Sequence, residues 1–473
     1  MKHILSAFGL ALLAAAAAPA DDVRSKPLTL HIVSPEQRAL KHALLPELKD
    51  SIPGNAVDHY RQAIKNLKAD APSAKEYYPT LEAWLAAPLK DLPVEAVERY
   101  FKPFESTLRE IEAGARCEQC DWGLTAKIRE RGVATLLPDV QYMREIANII
   151  ALRVRFQLAE GKLDEAARTL QTGFAMSRDV ADAPSLICGL VGMAVSSIML
   201  DRLEEFIQQP GAPNLYWPLT DLPRPLFDLR KPMQGERLMA YGSFPGLLEM
   251  AADPNAKPWT PEQVEKAMGL LREFLQQDNR FLEIREEAEM LLRMADRHEA
   301  AKKVLIDEGR PKELVDAMPH IQVAVLAAIR QYDAAFDELD KYESLPFWEA
   351  QPAMDRAAER YKQLADAKDG PAIPMARLFL PGVKKVFGAR TRMDRRVAAL
   401  RCVEAVRLYA AAHDGKLPAS LDDVTDVPVP MDPVTGKPFG YRLVGDRAFF
   451  SSAPFPGQPA INVTTPTYEL SIH

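Results

Sequence analysis

The chain lacks every short signature that would announce a reaction. Its eight histidines in 473 residues are scattered. None forms H-E-x-x-H and no two stand four apart, so a helix-borne zinc site of the metalloprotease kind is excluded. Gly242-Ser243-Phe244-Pro245-Gly246 has the wrong spacing for a nucleophile elbow. Gly436-Lys437 runs into proline without the upstream glycine of a phosphate-binding loop, and no dinucleotide fingerprint is present. His413, beside Asp414-Gly415, reads as a partner for a helix C-terminus. Only a carboxylate pair assembled in space would escape such a search.

A cationic surplus is also missing. Lys and Arg number 59 against 66 Asp and Glu, a net charge of -7, which excludes a bulk nucleic-acid binder. Glycine is scarce, at 23 residues against 38 prolines, which favours helices interrupted by proline over glycine-rich β-turns. Hydrophobic residues at 47% and charged residues at 26% are ordinary for a folded chain and exclude wholesale disorder.

Cysteines are few: Cys117, Cys120, Cys188 and Cys402. The C-x-x-C pair Cys117/Cys120 is the one with chemical options. Haem attachment needs histidine at position 121, where Asp121 stands. A zinc site wants a second pair, and none exists. Thioredoxin chemistry wants a preceding strand and a following helix mouth, whereas the residues before Cys117 read as a helix ending at Gly114. A local disulfide is the leading expectation, with free thiols and a redox pair as the alternatives; Trp122 would anchor the loop. Cys188 and Cys402 fall on apolar helix faces and read as inert core.

What is present begins with an export signal. MKHILSAFGLALLAAAAAPADD has a short positive start, an apolar run from Ile4 to Ala17 and the small-x-small pattern Ala18-Pro19-Ala20. It predicts a signal peptide over residues 1–20, cleaved after Ala20, and a mature chain outside the cytoplasm where disulfides are permitted. A second apolar run, Leu186–Leu200, is short for a bilayer and predicts a buried core helix, so no transmembrane helix is expected after cleavage.

An extended piece spans Leu28–Val33. Ser34-Pro35-Glu36-Gln37 and Thr260-Pro261-Glu262-Gln263 then each predict a helix start with a capping box. Val94–Glu112 places Val97, Tyr100, Phe101, Phe104, Leu108 and Ile111 on one stripe and predicts one helix. Met143–Ala159 and Leu163–Ser177 predict a helix pair about a turn at Glu160-Gly161-Lys162. The proline-rich stretch Pro210–Met233 predicts an aromatic, partly extended connector. Its Tyr216, Trp217 and Phe227 either pack onto the helices or floor a binding groove. From Thr260 to Ala367 the chain reads as charge-rich helix, with Glu283–Glu289 a solvated face. The basic run Lys384, Lys385, Arg390, Arg392, Arg395 and Arg396 reads first as a solvated helix face. Its other reading is a contact with acidic lipid, wall polymer or partner.

Three resemblances follow from quoted residues. LAEGKLDEAARTL, Leu158–Leu170, resembles the turn and second helix of a tetratricopeptide repeat, with Ala166 and Ala167 as the small packing pair. It covers one unit, and the family's tryptophan and proline are missing at the expected places. From near Met393 to Pro454 the chain resembles the C-terminal part of G-type pseudopilins of type II secretion. The matching residues are Gly415, Leu417–Leu421, Asp432-Pro433, Gly436, Pro438-Phe439 and Tyr441-Arg442. That family's cleavage site and long apolar N-terminal helix are absent here, so the likeness implies a small α+β cap, not a pilus subunit. It also implies calcium in the acidic loop, for which Asp422, Asp423, Asp426 and Asp432 are the candidates; self-capping of turns is the other reading. The LQTGFA segment, the connector from Gln208 to Arg230 and the C-terminal module together resemble a family of exported planctomycete proteins. That likeness implies location and build, not an activity.

The expectation is therefore a mainly α protein. Residues 21–370 form an irregular array of tetratricopeptide-like α-hairpins, and residues 371–473 form a helix plus a small β module. No catalytic residue is named. The expected role is an exported, periplasmic or extracellular interaction or scaffold protein associated with the cell envelope. Its partner would be a protein or envelope component. A thiol–disulfide protein using Cys117 and Cys120 is the alternative.

Overall fold

A computed structural model describes residues 25–34, 38–70, 74–277, 287–366, 372–373, 375–458 and 464–473. The expected signal peptide over 1–20, residues 35–37 of the first expected capping box and residues 283–286 lie outside the described residues. The fold is mainly helical with a small sheet, as the periodicity predicts.

The chain enters through strand β1 (Lys26–Leu30) and strand β2 (Ile52–Asn55), then helix α1 (Ala56–Asp70). The stripe expected as one helix is two: α2 (Val94–Phe101) and α3 (Glu105–Gly114), joined by a single 3-10 turn at Lys102–Phe104. Pro103 causes the break, since it has no N–H for a helix interior and its ring fits the start of a new segment. The stripe survives the break: Val97, Phe101, Phe104, Leu108 and Ile111 are all buried. Strand β3 (Cys117–Gln119) follows and pairs in parallel with β2.

The centre is a helical hairpin and its successor: α4 (Pro138–Ala159), α5 (Leu163–Ala181) and α6 (Leu186–Phe206). Gly161 turns the hairpin at φ 72°. Ala166 and Ala167 are buried in it, as expected of a small packing pair. At Gly192 an added Cβ would lie 2.4 Å from the Ser177 carbonyl oxygen, so glycine is what lets α6 press onto α5. Among the described residues α6 is the one helix long and apolar enough to cross a bilayer. It packs on α4, α5 and the long C-terminal helix, as the core reading of Leu186–Leu200 predicts.

Helices α7 (Arg230–Gly242) and α8 (His320–Asp340) continue the array, and α9 (Met375–Ala412) runs back across it. Thr260 caps as expected: its Oγ1 accepts from Gln263 N at 3.3 Å and its own N–H donates to Gln263 Oε1 at 2.9 Å. The hairpin β4 (Gly440–Val444) and β5 (Arg447–Ser451) and the last strand β6 (Thr467–Ile472) complete the fold.

These strands form one sheet in the order β1-β6-β5-β4. The extended N-terminal piece finds its partner at the other end of the chain. β1 pairs in parallel with β6, with Lys26 opposite Tyr468 and Leu30 opposite Ile472. The period of two sends Leu28, Leu30, Ala448, Phe450, Tyr468 and Leu470 to the buried face.

The basic run corrects the solvated-face expectation. Lys384 and Lys385 are exposed, but Arg390, Arg395 and Arg396 are buried. Arg395 binds Asp432 at 2.6 Å and the Thr464 carbonyl at 2.9 Å. Arg396 binds Glu204 at 3.0 Å and Asp201 at 2.7 Å. Glu204 also takes Lys26 and the Tyr468 hydroxyl, so one carboxylate joins β1, α6, α9 and β6. Burial would raise the Glu204 carboxyl, but Arg396 and Lys26 outweigh it and hold the group below its ordinary range. A run of arginines is here a set of internal ties.

Candidate functional site

Helix α9 presents Arg390, Thr391, Asp394, Val397, Ala398 and Arg401 on one side, the spacing of a single helical face. That face floors a cleft of about 950 Å³. Three segments wall it: Leu219–Arg230 of the connector, Glu343–Trp348 at the entry to a helix, and the loop Pro428–Pro433 of the C-terminal module.

Polar groups of α9 fix the connector in place. Asp394 Oδ1 accepts from Leu226 N at 2.8 Å, and Glu404 O accepts from Asn214 Nδ2 at 2.9 Å. Glu404 Oε2 accepts from Leu215 N at 2.5 Å. Arg407, fully buried, donates to the carbonyls of Ala212, Pro213 and His31. A connector too rich in proline to satisfy its own backbone is thus paired with side chains of one helix.

Arg401 is the distinctive group. Only 7% of it is exposed, yet among the described residues no carboxylate stands within ion-pair distance. Its Nε donates to Thr220 Oγ1 at 2.9 Å, and its guanidinium lies 5.5 Å from the centre of the Tyr216 ring. Among the described residues the two terminal nitrogens have no hydrogen-bond partner. The stem and Nε are enclosed, so the charge is held in place with its terminal nitrogens open to the cleft.

Other cations and acids line the cleft. Arg178 and Arg224 are exposed and bear no ion pair among the described residues. Arg390 is tied to Glu343, and Arg230 to Asp228. Burial pushes Asp394 up to about 6 against the Leu226 N–H and the Arg390 charge. The carboxylates are thus engaged, and the free charge is positive. Leu345, Trp348 and Met431 add an apolar rim, at 43%, 41% and 55% exposed. Trp348 is seated on the C-terminal module: a Cβ at Gly436, whose φ is 67°, would come within 2.7 Å of its indole.

The sequence placed a groove at the connector, and the connector does line the cleft, though the three aromatics singled out do not lie in it. Tyr216 is buried, its hydroxyl donating to the Pro428 carbonyl and its ring backing Arg401. Trp217 is 45% exposed outside the cleft. Phe227 faces a second cavity. Arg401, which sequence reasoning missed, had one signal: an arginine between Val397, Ala398, Leu400 and Cys402 on a helix otherwise apolar there.

That second cavity, about 500 Å³, holds Cys117 and Cys120. It shares Arg178, Leu226 and Asp228 with the cleft, so the two open on either side of the connector. Both cysteines are free thiols, which corrects the disulfide expectation. Cys117 starts β3, and an extended chain advances about 10 Å over three residues, beyond the reach of a bridge. Cys117 Sγ points to the Ala113 carbonyl and Cys120 Sγ to the Asp179 carbonyl. Trp122 anchors the segment as expected, stacked on Tyr60 and donating to Asp179 O at 3.0 Å.

The surroundings are acidic. Burial, then Asp179, raises both thiols above their ordinary range, Cys120 by far the more. Asp179 itself is pushed up to about 7 by burial, against the hydrogen bond from Tyr60. A thiol held protonated is a poor nucleophile. Cys120 is therefore expected to react with iodoacetamide at pH 8 at least about tenfold more slowly than a free cysteine, and Cys117 more slowly than a free cysteine but faster than Cys120. Mass-spectrometric labelling kinetics check this; either thiol matching free cysteine would contradict the acidic environment.

The calcium candidates are not gathered into a site. Asp432 is buried on Arg395 and accepts from Val434 N at 2.9 Å. Asp423 closes a capping box with Ser420. Among the described residues no group of three or more His, Cys, Asp or Glu is placed to hold a metal ion.

Comparison with protein-family models, with curated proteins and with solved structures finds no match.

Proposed function

We propose that the protein is an exported interaction protein of the cell envelope that binds its partner in the cleft floored by α9. The observation that carries the reading is Arg401: a largely buried side chain, pre-positioned by Thr220 and Tyr216, whose terminal nitrogens have no partner among the described residues. Pre-positioned charge beside exposed Trp348, Leu345 and Met431 suits recognition. The export signal over residues 1–20 supports the location. A hydrolytic acid pair is not favoured, because Glu343 and Asp228 in the cleft are each neutralised by an arginine and Asp394 is engaged by the Leu226 N–H. A thiol–disulfide role is not favoured either, given two thiols held protonated.

Site-specific photo-crosslinking in intact cells tests the reading. A crosslinking side chain at Met431, on the cleft rim, is expected to give one discrete adduct. The same group at Leu292, which is exposed and lines neither cavity, is expected to give none. Equal, diffuse labelling from both positions would count against a dedicated site.

A further inference from the structure

We infer that the occupant of the cleft is an acidic peptide segment in which carboxylates alternate with apolar side chains; this rests on the interaction reading above. Charge comes first. Arg178, Arg224 and Arg401 face the cleft without ion pairs among the described residues, in a chain whose net charge is -7. A local positive surplus in the cleft selects an anionic group.

The shape of the cation comes next. Arg401 is held by Nε, so the edge left open is the pair of terminal nitrogens, a planar fork that matches one carboxylate with two parallel hydrogen bonds. The Tyr216 ring lies 5.5 Å from the guanidinium and backs it.

The walls then choose between macromolecules. Pro223, Pro225, Pro346, Pro428, Pro430 and Pro433 line the cleft. Proline has no N–H, so these walls offer few backbone donors to a strand, and recognition falls mainly to side chains. The rim offers an aliphatic, a thioether and one indole. Leu345 and Met431 suit the apolar side chains of a peptide, whereas a polysaccharide would want stacking faces along its length.

Binding of synthetic peptides to the full chain, followed by fluorescence anisotropy, tests this. The probe is a short labelled peptide alternating Glu with Leu, compared with Gln/Leu and Lys/Leu peptides and with an oligogalacturonate. The Glu/Leu peptide should bind, and added salt should weaken it. Arg401→Gln should weaken it about tenfold or more, the worth of a charge-assisted pair. Arg224→Gln, on an exposed side chain with no ion pair among the described residues, should weaken it severalfold, and Arg109→Gln, remote on α3, should change nothing. Equal binding of the Gln/Leu peptide, tighter binding of the oligogalacturonate, or no effect of both cleft variants would overturn the inference. A Met431 adduct that persists while the Glu/Leu peptide fails to bind would sink the peptide alone and leave the interaction reading standing. Loss of both would remove both.

Discussion

Replacing Asp432 by alanine is expected to destabilise the fold by about 3–5 kcal/mol, the cost of leaving a buried charge without its partner. The charge is Arg395, fully buried on α9, whose Nη2 meets Asp432 at 2.6 Å. After the change Arg395 keeps only the carbonyls of Thr464 and Ala453, which carry no net charge. The loop from Asp432 to Lys437 would loosen too. Asp432 orders it through the Val434 N–H, and the backbone pair Asp432–Lys437 closes it at 2.9 Å. Urea unfolding should show the midpoint falling. Arg395→Met with Asp432→Leu, which removes both charges, should recover much of the loss, because an apolar pair of similar volume needs no compensation. A single variant as stable as the parent would contradict the tie.

The second large effect is at the other end of the chain. A protein beginning at His31 is expected to lose about 3–6 kcal/mol, from about 1.5–3 kcal/mol for each buried leucine of β1. Leu28 and Leu30 are both fully buried against the sheet. The truncation would also expose the edge of β6 and remove Lys26 from Glu204. Thermal unfolding against the chain beginning at Asp21 measures this. Matching midpoints would mean that β1 is an appendage and not part of the sheet.

These two cases show what the sequence could and could not convey. Helices are periodic over a few turns, so the pair about Gly161, the buried α6 and the cap at Thr260 can be read locally. The single helix over Val94–Glu112 was a local misreading of Pro103, whose position inside an unbroken apolar stripe hid the 3-10 turn. Ties between distant elements leave no local trace. Arg395 and Arg396 look like any basic run until Asp432 and Glu204 arrive from elsewhere in the chain. The extended piece near Leu28 was legible as extended, but nothing in it names β6.

The candidate site was half legible for the same reason. Prolines marked the connector as irregular, hence as a wall. Burial then reversed the roles of its aromatics, since Tyr216 supports the cleft from behind while Arg401 faces it. At the cysteines, spacing alone suggested a bridge, and the strand at Cys117 supplies the reach that forbids it.

The central claim is that Arg401 makes the cleft a binding site. The most direct measurement is the Met431 crosslink repeated in an Arg401→Gln chain whose circular dichroism and unfolding midpoint match the parent. The account predicts that the discrete adduct falls at least about tenfold, as expected when one buried charge-assisted contact is lost. An adduct of undiminished yield in that folded variant would contradict it.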